Sequence, residues 1–561
     1  MRSSTKIVGL LIIIIIIKVV LSTVVPTLSA YSDEYYYSQM ARSMWMHHEV
    51  SIHGEQVSFY PPLYPMLLSL AYAFKDMSAI YLVMKMLNAI VSSLVIIPIF
   101  LLARKLMSER SALGAAAISA MLPATFSFTP YLLAENLLIV LVAFAVYFLY
   151  ESFTEKTLGR SLLAGICIGL AILTKWSALI LLVVPLLLWL WEFFRKKSHH
   201  AVVLWIYVGA AVVVLPWLIR NGILFGFSLQ KILGTNVVND ITAVVRVNSF
   251  IPSLIAWVVL YAGYLLLASG IFFGVLAWSA VKEFRTHDTS KGLFARLMLI
   301  MMLLFILVAA NHATGNIIYD SPFSFLTDRP VGRYLEMILP LVIVLGFMVF
   351  EQRRSIVTRS MIIGSAVLAA VSSLLLFAPL FPSNNGSLAW LGIFGTYLKS
   401  WFDASGFSWG VVLVAAVFLF LAAVSMAWLK RVKIPVLGML LVSFFILSSV
   451  ASIAVTAYQA RQWESSKMIS AVRTFPEVVQ GDGIVLFDQN SCGDKIARDA
   501  EVLCEGEYAT VMGFWLNNDL RIGDPEKYKE YGNVRYIVST RELPFAGIVK
   551  YRGIVLYKTY L

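Results

Sequence analysis

Charge is what this sequence has least of: only 14% of its 561 residues are Asp, Glu, Lys or Arg, against 60% hydrophobic. That balance excludes an ordinary soluble globular chain and makes a lipid bilayer the expected solvent. Cysteine is scarcer still, with three in the whole chain, too few for a disulfide-stapled scaffold. Cys167 sits in an apolar stretch, while Cys492 and Cys504 lie close together near the polar C-terminal end. If that end is extracytoplasmic the pair can form a disulfide, and otherwise the two are unpaired thiols. Internal repeats and low-complexity linkers are also lacking, apart from an isoleucine run near the start, so nothing suggests a repeat architecture.

What is present is apolar length. Runs such as 7–25, 202–218, 297–310 and 434–455 supply, or nearly supply, the roughly 20 apolar residues a spanning helix needs. Their repetition excludes a single-anchor protein. The runs and their punctuation predict about 13 spans, near 7–29, 80–102, 112–125, 132–150, 161–174, 177–194, 201–219, 251–280, 293–310, 335–350, 357–381, 409–429 and 434–457. Arg2 and Lys6 precede the first run, which ends in the small residues Ser29 and Ala30. Its length favours a retained helix over a cleaved signal peptide, and the chain emerges on the same side in either case.

The formal charge of +12 would suggest a nucleic-acid partner in a soluble protein, but here it serves orientation and contact with anionic lipid phosphates. With the N-terminus cytoplasmic, one set of connections carries Arg104, Lys105 and Arg110, then Lys156 and Arg160, then Arg195, Lys196 and Lys197. The set continues through Lys282, Arg285, Lys291, Arg296, Arg353, Arg354, Arg359, Lys430, Arg431 and Lys433. Positive charge is therefore predicted inside. The opposite face carries longer loops at about 30–79, 220–250, 311–334 and 382–408, including the sequon Asn385-Gly386-Ser387. The expected organisation is an all-α polytopic bundle over 1–457, followed by a small extracytoplasmic α/β domain over 458–561. In that domain 483–488, 534–540 and 547–558 read as strands, and a helix is expected after Glu505.

The residues able to carry chemistry fall on the outer face of this topology. The first outer loop opens Tyr31-Ser32-Asp33-Glu34-Tyr35-Tyr36-Tyr37, two adjacent carboxylates just beyond the first span. Such a pair is also what an interfacial turn with an aromatic belt would show. Residues 38–46 are expected as an interfacial amphipathic helix, and 61–74, opened by Tyr60-Pro61-Pro62-Leu63-Tyr64-Pro65, as a second segment too short to span. Glu135 lies in an apolar setting where the third span gives way to the fourth; it is either functional or a helix-start carboxylate. Lys175, Arg220, Arg329 and Arg333 all map to the outer ends of spans, and each read singly is a snorkelling side chain. Together the cations suit a phosphate and the carboxylates suit proton abstraction from a hydroxyl. Tyr35, Tyr36, Tyr60 and Tyr64 are candidates to pack on a sugar face. His47, His48 and His53 are potential ligands for a divalent metal, but their spacing matches no established motif.

The ordered set Asp33-Glu34, Pro61-Pro62-Leu63-Tyr64-Pro65, Ala134-Glu135-Asn136-Leu137, Leu173-Thr174-Lys175, Pro216-Trp217 through Asn221, and Gly332-Arg333-Tyr334 resembles the GT-C class of membrane glycosyltransferases, specifically the protein O-mannosyltransferase and aminoarabinose-transferase-like group. The resemblance implies a bundle of about 13 helices and a polyprenyl or dolichyl phosphate sugar donor. The acceptor would be an extracytoplasmic hydroxyl on a protein or glycan, and transfer would invert the anomeric carbon. It implies Asp33 as base, Glu34 and Glu135 positioning acceptor or donor, and Lys175 and Arg333 on phosphate. Phe59-Tyr60 stands where the aminoarabinose subgroup has a Glu-Lys pair, which sets aside that subgroup's lipid A specificity and its metal site. Three other readings compete: a flippase for lipid-linked sugars, which should hold its charges near the bilayer midplane; a non-catalytic assembly subunit, in which the acidic pair could be replaced without loss of activity; and en bloc oligosaccharide transfer, for which no W-W-D-type motif is found in the polar tail.

Overall fold

The computed structural model describes residues 3–28, 32–197, 199–233, 250–315, 331–352, 357–377, 385–388, 434–464, 483–491, 513–551 and 554–559. Arg329, Cys492, Cys504, the expected helix after Glu505 and the expected span at 409–429 lie outside the described residues.

The helices begin with α1 (Ser3–Ser22), which is apolar all round. Ile12, Ile13, Ile16 and Ile17 are exposed on it, as a lipid-facing helix requires. Its one buried charge, Lys18, donates to Ser92 Oγ at 2.9 Å and is thereby used in packing. Next come α2 (Ser32–Met46), a two-strand turn of β1 (Ser51–Ile52) and β2 (Glu55–Gln56), and the short α3 (Leu63–Ser69). The helix was expected to begin at residue 38, but it starts six residues earlier, so Asp33 and Glu34 form its first turn, where carboxylates complement the helix dipole.

The bundle proper contains α4 (Met77–Ser93), α5 (Ile96–Leu106), α6 (Glu109–Ala120), α7 (Pro123–Ser127), α8 (Glu135–Glu155), α9 (Leu158–Ile172), α10 (Val183–Phe194) and α11 (His200–Phe225). Helix α4 is capped by Asp76, whose carboxylate accepts from Ala79 N at 2.8 Å. Helices α9 and α11 touch backbone to backbone. A Cβ on Gly165 would sit 2.0 Å from the Ile206 carbonyl oxygen, and one on Gly209 would sit 2.4 Å from that of Leu162. Small residues at such a crossing let helices approach where lipid offers no hydrophobic drive.

One expected span is corrected. Residues 251–280 do not make a single rod: the helices Leu254–Ala268 and Phe272–Phe284 meet at 115°. Gly270 at φ +70° and Ile271 at φ +58° interrupt the right-handed path between them, and no helix propagates through two successive left-handed residues. Among the described residues, six helices are long and apolar enough to cross a membrane, or seven counting the bent pair. Shorter apolar helices at Leu158–Ile172, Leu339–Glu351, Ser360–Ser372 and Val442–Tyr458 coincide with four further expected spans.

The C-terminal part is a five-stranded mixed sheet in the order β4-β3-β5-β7-β6. Strands β3 (Ile484–Asp488), β4 (Asp519–Gly523) and β5 (Val534–Ser539) run parallel, while β6 (Ala546–Tyr551) and β7 (Ile554–Lys558) pair antiparallel at one edge. The expected strand at 547–558 is thus two strands, and β4 was not expected at all. The sheet docks on the first loop: Val485, Phe487, Trp515, Leu520 and Val538 share one core with Tyr35, Ala41 and Leu68. Trp515 Nε1 donates to Thr27 Oγ1 at 2.8 Å, and Arg42 pairs with Asp519 at 2.9 Å.

Candidate active site

Five side chains from five segments converge at the end of the bundle that carries the 30–79 loop. Asp33, in the first turn of α2, accepts from the Tyr60 hydroxyl on Oδ1 at 2.6 Å and from Arg333 Nη1 on Oδ2 at 3.0 Å. Arg333 Nε lies 3.7 Å from Glu135 Oε1, and the same oxygen accepts from Lys175. Exposure grades from mouth to floor, with side chains 20% exposed at Asp33, 16% at Arg333, 14% at Lys175 and 1% at Glu135. Among the described residues the second Glu135 oxygen, Oε2, has no hydrogen-bond partner. A buried carboxylate oxygen left so is costly, and a hydroxyl brought by a ligand would satisfy it.

Backbone ties fix this convergence. The Phe59 carbonyl accepts from Trp176 Nε1 at 2.9 Å, and Leu63 N donates to the Leu173 carbonyl at 2.9 Å. The strap bearing Tyr60 is therefore fastened on both sides to the segment bearing Lys175. Glu34 is fully buried and Oε1 accepts from Leu132 N at 2.9 Å. It thereby anchors the turn that leads into Glu135 at the start of α8. Gly332 N donates to Asn385 Oδ1 at 2.9 Å, and the Gly332 backbone lies under the Tyr264 ring, where a Cβ would stand 2.0 Å from Tyr264 Cζ. Tyr264 and Ser387 N both donate to Glu336 Oε1, at 2.6 and 2.7 Å, so the Arg333–Glu336 turn is held from behind.

Charge follows from this geometry. Burial alone would push the Asp33 carboxyl up, but the Arg333 and Lys175 charges, with the Tyr60 and Arg333 hydrogen bonds, outweigh it and hold Asp33 below the usual carboxylate value. Burial, reinforced by the Asp33 charge, pushes the Tyr60 phenol well above its ordinary value, so it remains a donor. Lys175 also lies 5.6 Å from the centroid of the Tyr334 ring.

Other expected site residues are placed differently. Arg220 binds the turn around β1 and β2, donating to the Val57 carbonyl at 3.0 Å, the Val50 carbonyl at 3.3 Å and Gln56 Oε1. Its guanidinium is engaged there, and these partners are not members of the Asp33 cluster. Tyr35 is buried against the sheet domain and bonds His53 Nε2 at 3.0 Å; Tyr64 is buried and donates to Asn88 Oδ1 at 2.9 Å. Both are packing residues in this arrangement, because no face of either ring is open to a sugar. Tyr36 and Tyr60 pack beside the site as a tilted pair with ring centroids 5.5 Å apart. The sequon Asn385, Gly386 and Ser387 is buried, and a glycan has no room there. Tyr264, Glu336 and Asn385 were missed, although Glu336 gave the same signal as Glu135, an ionisable residue in an apolar run.

Among the described residues the donor set does not fit a divalent metal. Among the described residues no three His, Cys, Asp or Glu side chains gather into a metal-binding group. The Asp33 and Glu135 charges are met by Arg333 and Lys175. His47 and His48 are exposed, and His53 faces the sheet domain, accepting from Leu520 N on Nδ1 at 2.9 Å.

The fold is similar to that of membrane glycosyltransferases of the GT-C class. Residues 60–219 match the family model described as dolichyl-phosphate-mannose-protein mannosyltransferase. Among solved structures, ArnT from Cupriavidus metallidurans bound to undecaprenyl phosphate is similar at 14% identity and TM-score 0.57, over 98% of this chain and 97% of that one. Its apo state gives 13% identity and TM-score 0.55, over 99% and 98%. The oligosaccharyltransferase from Archaeoglobus fulgidus, tethered with an acceptor peptide, is similar at 15% identity and TM-score 0.46 over 95% of this chain and 69% of that one. No curated protein matches the chain.

Proposed function

We propose that this chain is an inverting glycosyltransferase that moves a single sugar from a polyprenyl or dolichyl phosphate to an acceptor hydroxyl, on a protein or glycan, at the extracytoplasmic face. The observation that carries the reading is the meeting of Asp33 and Glu135 with Arg333 and Lys175 in one partly open cluster. Asp33 takes the acceptor proton as the oxygen attacks the anomeric carbon. The C1–O bond to phosphate breaks, and polyprenyl phosphate leaves with the electron pair. Lys175 and Arg333 offset the charge that develops on the phosphate, in the manner of preorganised cations in a low-dielectric site. A phosphate leaving group needs no separate proton donor. The free Glu135 oxygen orients a hydroxyl of sugar or acceptor.

The undecaprenyl phosphate bound to the ArnT structure supports a lipid-phosphate donor. Orientation rests on the positive-inside distribution, with the site and the sheet domain opposite the basic connections. Asp33→Asn is expected to abolish transfer in membranes supplied with labelled polyprenyl-phosphate hexose while leaving expression intact. Retained turnover would remove Asp33 as the base.

A further inference from the structure

The proposed base already accepts two hydrogen bonds. A general base must lie within hydrogen-bond reach of the hydroxyl it deprotonates, and each Asp33 oxygen holds one donor, Oδ1 the Tyr60 hydroxyl and Oδ2 Arg333, so an arriving hydroxyl either shares an oxygen with one of them or displaces it. Arg333 also faces Glu135 and is part of the charge balance, so it stays. Tyr60 is different: it is neutral, it supplies one O–H donor, and it sits beside the partly open mouth. An acceptor hydroxyl is likewise a neutral O–H donor that must reach the same carboxylate.

We infer that Tyr60 caps Asp33 by occupying the acceptor-hydroxyl position, and that exchange of Tyr60 for acceptor makes the base available only when acceptor arrives. This rests on Asp33 being the base. The consequence is protection of the donor. Water reaching an uncapped Asp33 would give up its proton to the carboxylate, its oxygen would bond to the anomeric carbon, and the C1–O bond to phosphate would break. Free sugar and polyprenyl phosphate would result, and excluding water prevents that loss.

The anchoring of the strap limits how the cap is released. The strap around Tyr60 is fastened at the Phe59 carbonyl and at Leu63 N, so release is a swing of the ring and not an opening of the loop. The ring lies among Tyr36 at 5.5 Å, Tyr37 at 5.1 Å and Phe59 at 4.8 Å, centroid to centroid. These neighbours hold it in place through faces and edges; its hydroxyl bond is to Asp33.

The test needs no acceptor. Purified full-length protein in lipid nanodiscs is given labelled polyprenyl-phosphate mannose, and release of free sugar is followed. Tyr60→Phe keeps the ring packing and is expected to raise acceptor-independent release on the order of 10-fold over the unsubstituted protein, the scale of losing one hydrogen bond. Tyr207→Phe, which removes a hydroxyl bonded to the Leu182 carbonyl, is expected to leave release unchanged, and Asp33→Asn combined with Tyr60→Phe is expected to abolish it. Because the Tyr60 bond helps hold Asp33 low, the acid limb of the Tyr60→Phe rate profile is also expected to move to higher pH. Release by Tyr60→Phe at or below the unsubstituted rate, or an equal rise in Tyr207→Phe, overturns the cap while leaving the base reading intact. Undiminished release by the double variant instead overturns Asp33 as base.

Discussion

At the scale of single residues the account depends on which oxygens and cations are spoken for. Lys175 and Arg333 share the Glu135 carboxylate, so removing either leaves a buried charge half compensated. Lys175→Ala is expected to lower transfer by about 10²–10³-fold, the range found when one preorganised donor to a developing charge is deleted. A steady-state assay at saturating donor checks it, and a loss under threefold would place Lys175 outside the reaction. Arg220→Ala is expected to act differently, since its contacts are with Val50, Gln56 and Val57. Lower thermal stability with donor affinity little changed is the expected result, read by melting in detergent and by donor titration.

Residue types were legible in the sequence where the fold had few alternatives. Asp33, Glu135, Lys175 and Arg333 stood out because ionisable groups beside spans are expensive. Partners were not legible. Nothing in the run Tyr31 to Tyr37 tells Asp33, which faces the cluster, from Glu34, which points to the Leu132 amide; one helical step of about 100° separates their directions. Nor does a sequon announce that its asparagine will be buried against Gly332.

Among the elements, apolar length revealed where helices run but not whether they are straight. The 251–280 run has enough apolar residues for a long span, and its 115° break follows from two left-handed residues at 270 and 271, one of which is an isoleucine. Only surrounding packing holds a β-branched residue there. The crossing of α9 and α11 is the opposite case, since Gly165 and Gly209 mark a close approach whose partner no single segment names. Gly165→Leu is expected to destabilise the protein by at least about 1–3 kcal/mol, because its side chain would meet the Ile206 backbone and not a movable side chain. A lower melting temperature and reduced yield in membranes would show this; an unchanged melting curve would mean that the two helices do not pack as described. In the sheet, β3 and β5 were legible from their β-branched and aromatic runs, whereas β4, Asp519–Gly523, carries too few such residues to declare itself.

For the molecule as a whole, the sheet domain and the membrane bundle meet on the loop that also holds the site. His53 is the joint: Nδ1 accepts from Leu520 N, so Nε2 carries the proton and donates to the Tyr35 hydroxyl. Burial pushes this imidazole down to about 4 from its ordinary 6.5. A folded value below the unfolded one means that the neutral form is favoured by folding, so the stabilisation is complete above about 6.5 and is lost as pH falls toward about 4. Hydrogen exchange of Leu520 and its β4 neighbours is expected to accelerate across that window. Exchange that stays flat, or that speeds only above neutrality, would contradict this joint. Because Tyr35 lies two residues from Asp33 on α2, loosening the domain is also expected to loosen the site.

The most direct measurement is an experimental structure of the full chain bound to a non-hydrolysable phosphonate analogue of a polyprenyl-phosphate sugar. The expected result places the phosphonate oxygens within about 3 Å of Lys175 and Arg333, with the anomeric carbon turned toward Asp33. A headgroup seated on the Arg220 turn or elsewhere on the bundle, with the Asp33 cluster closed and empty, would contradict the account.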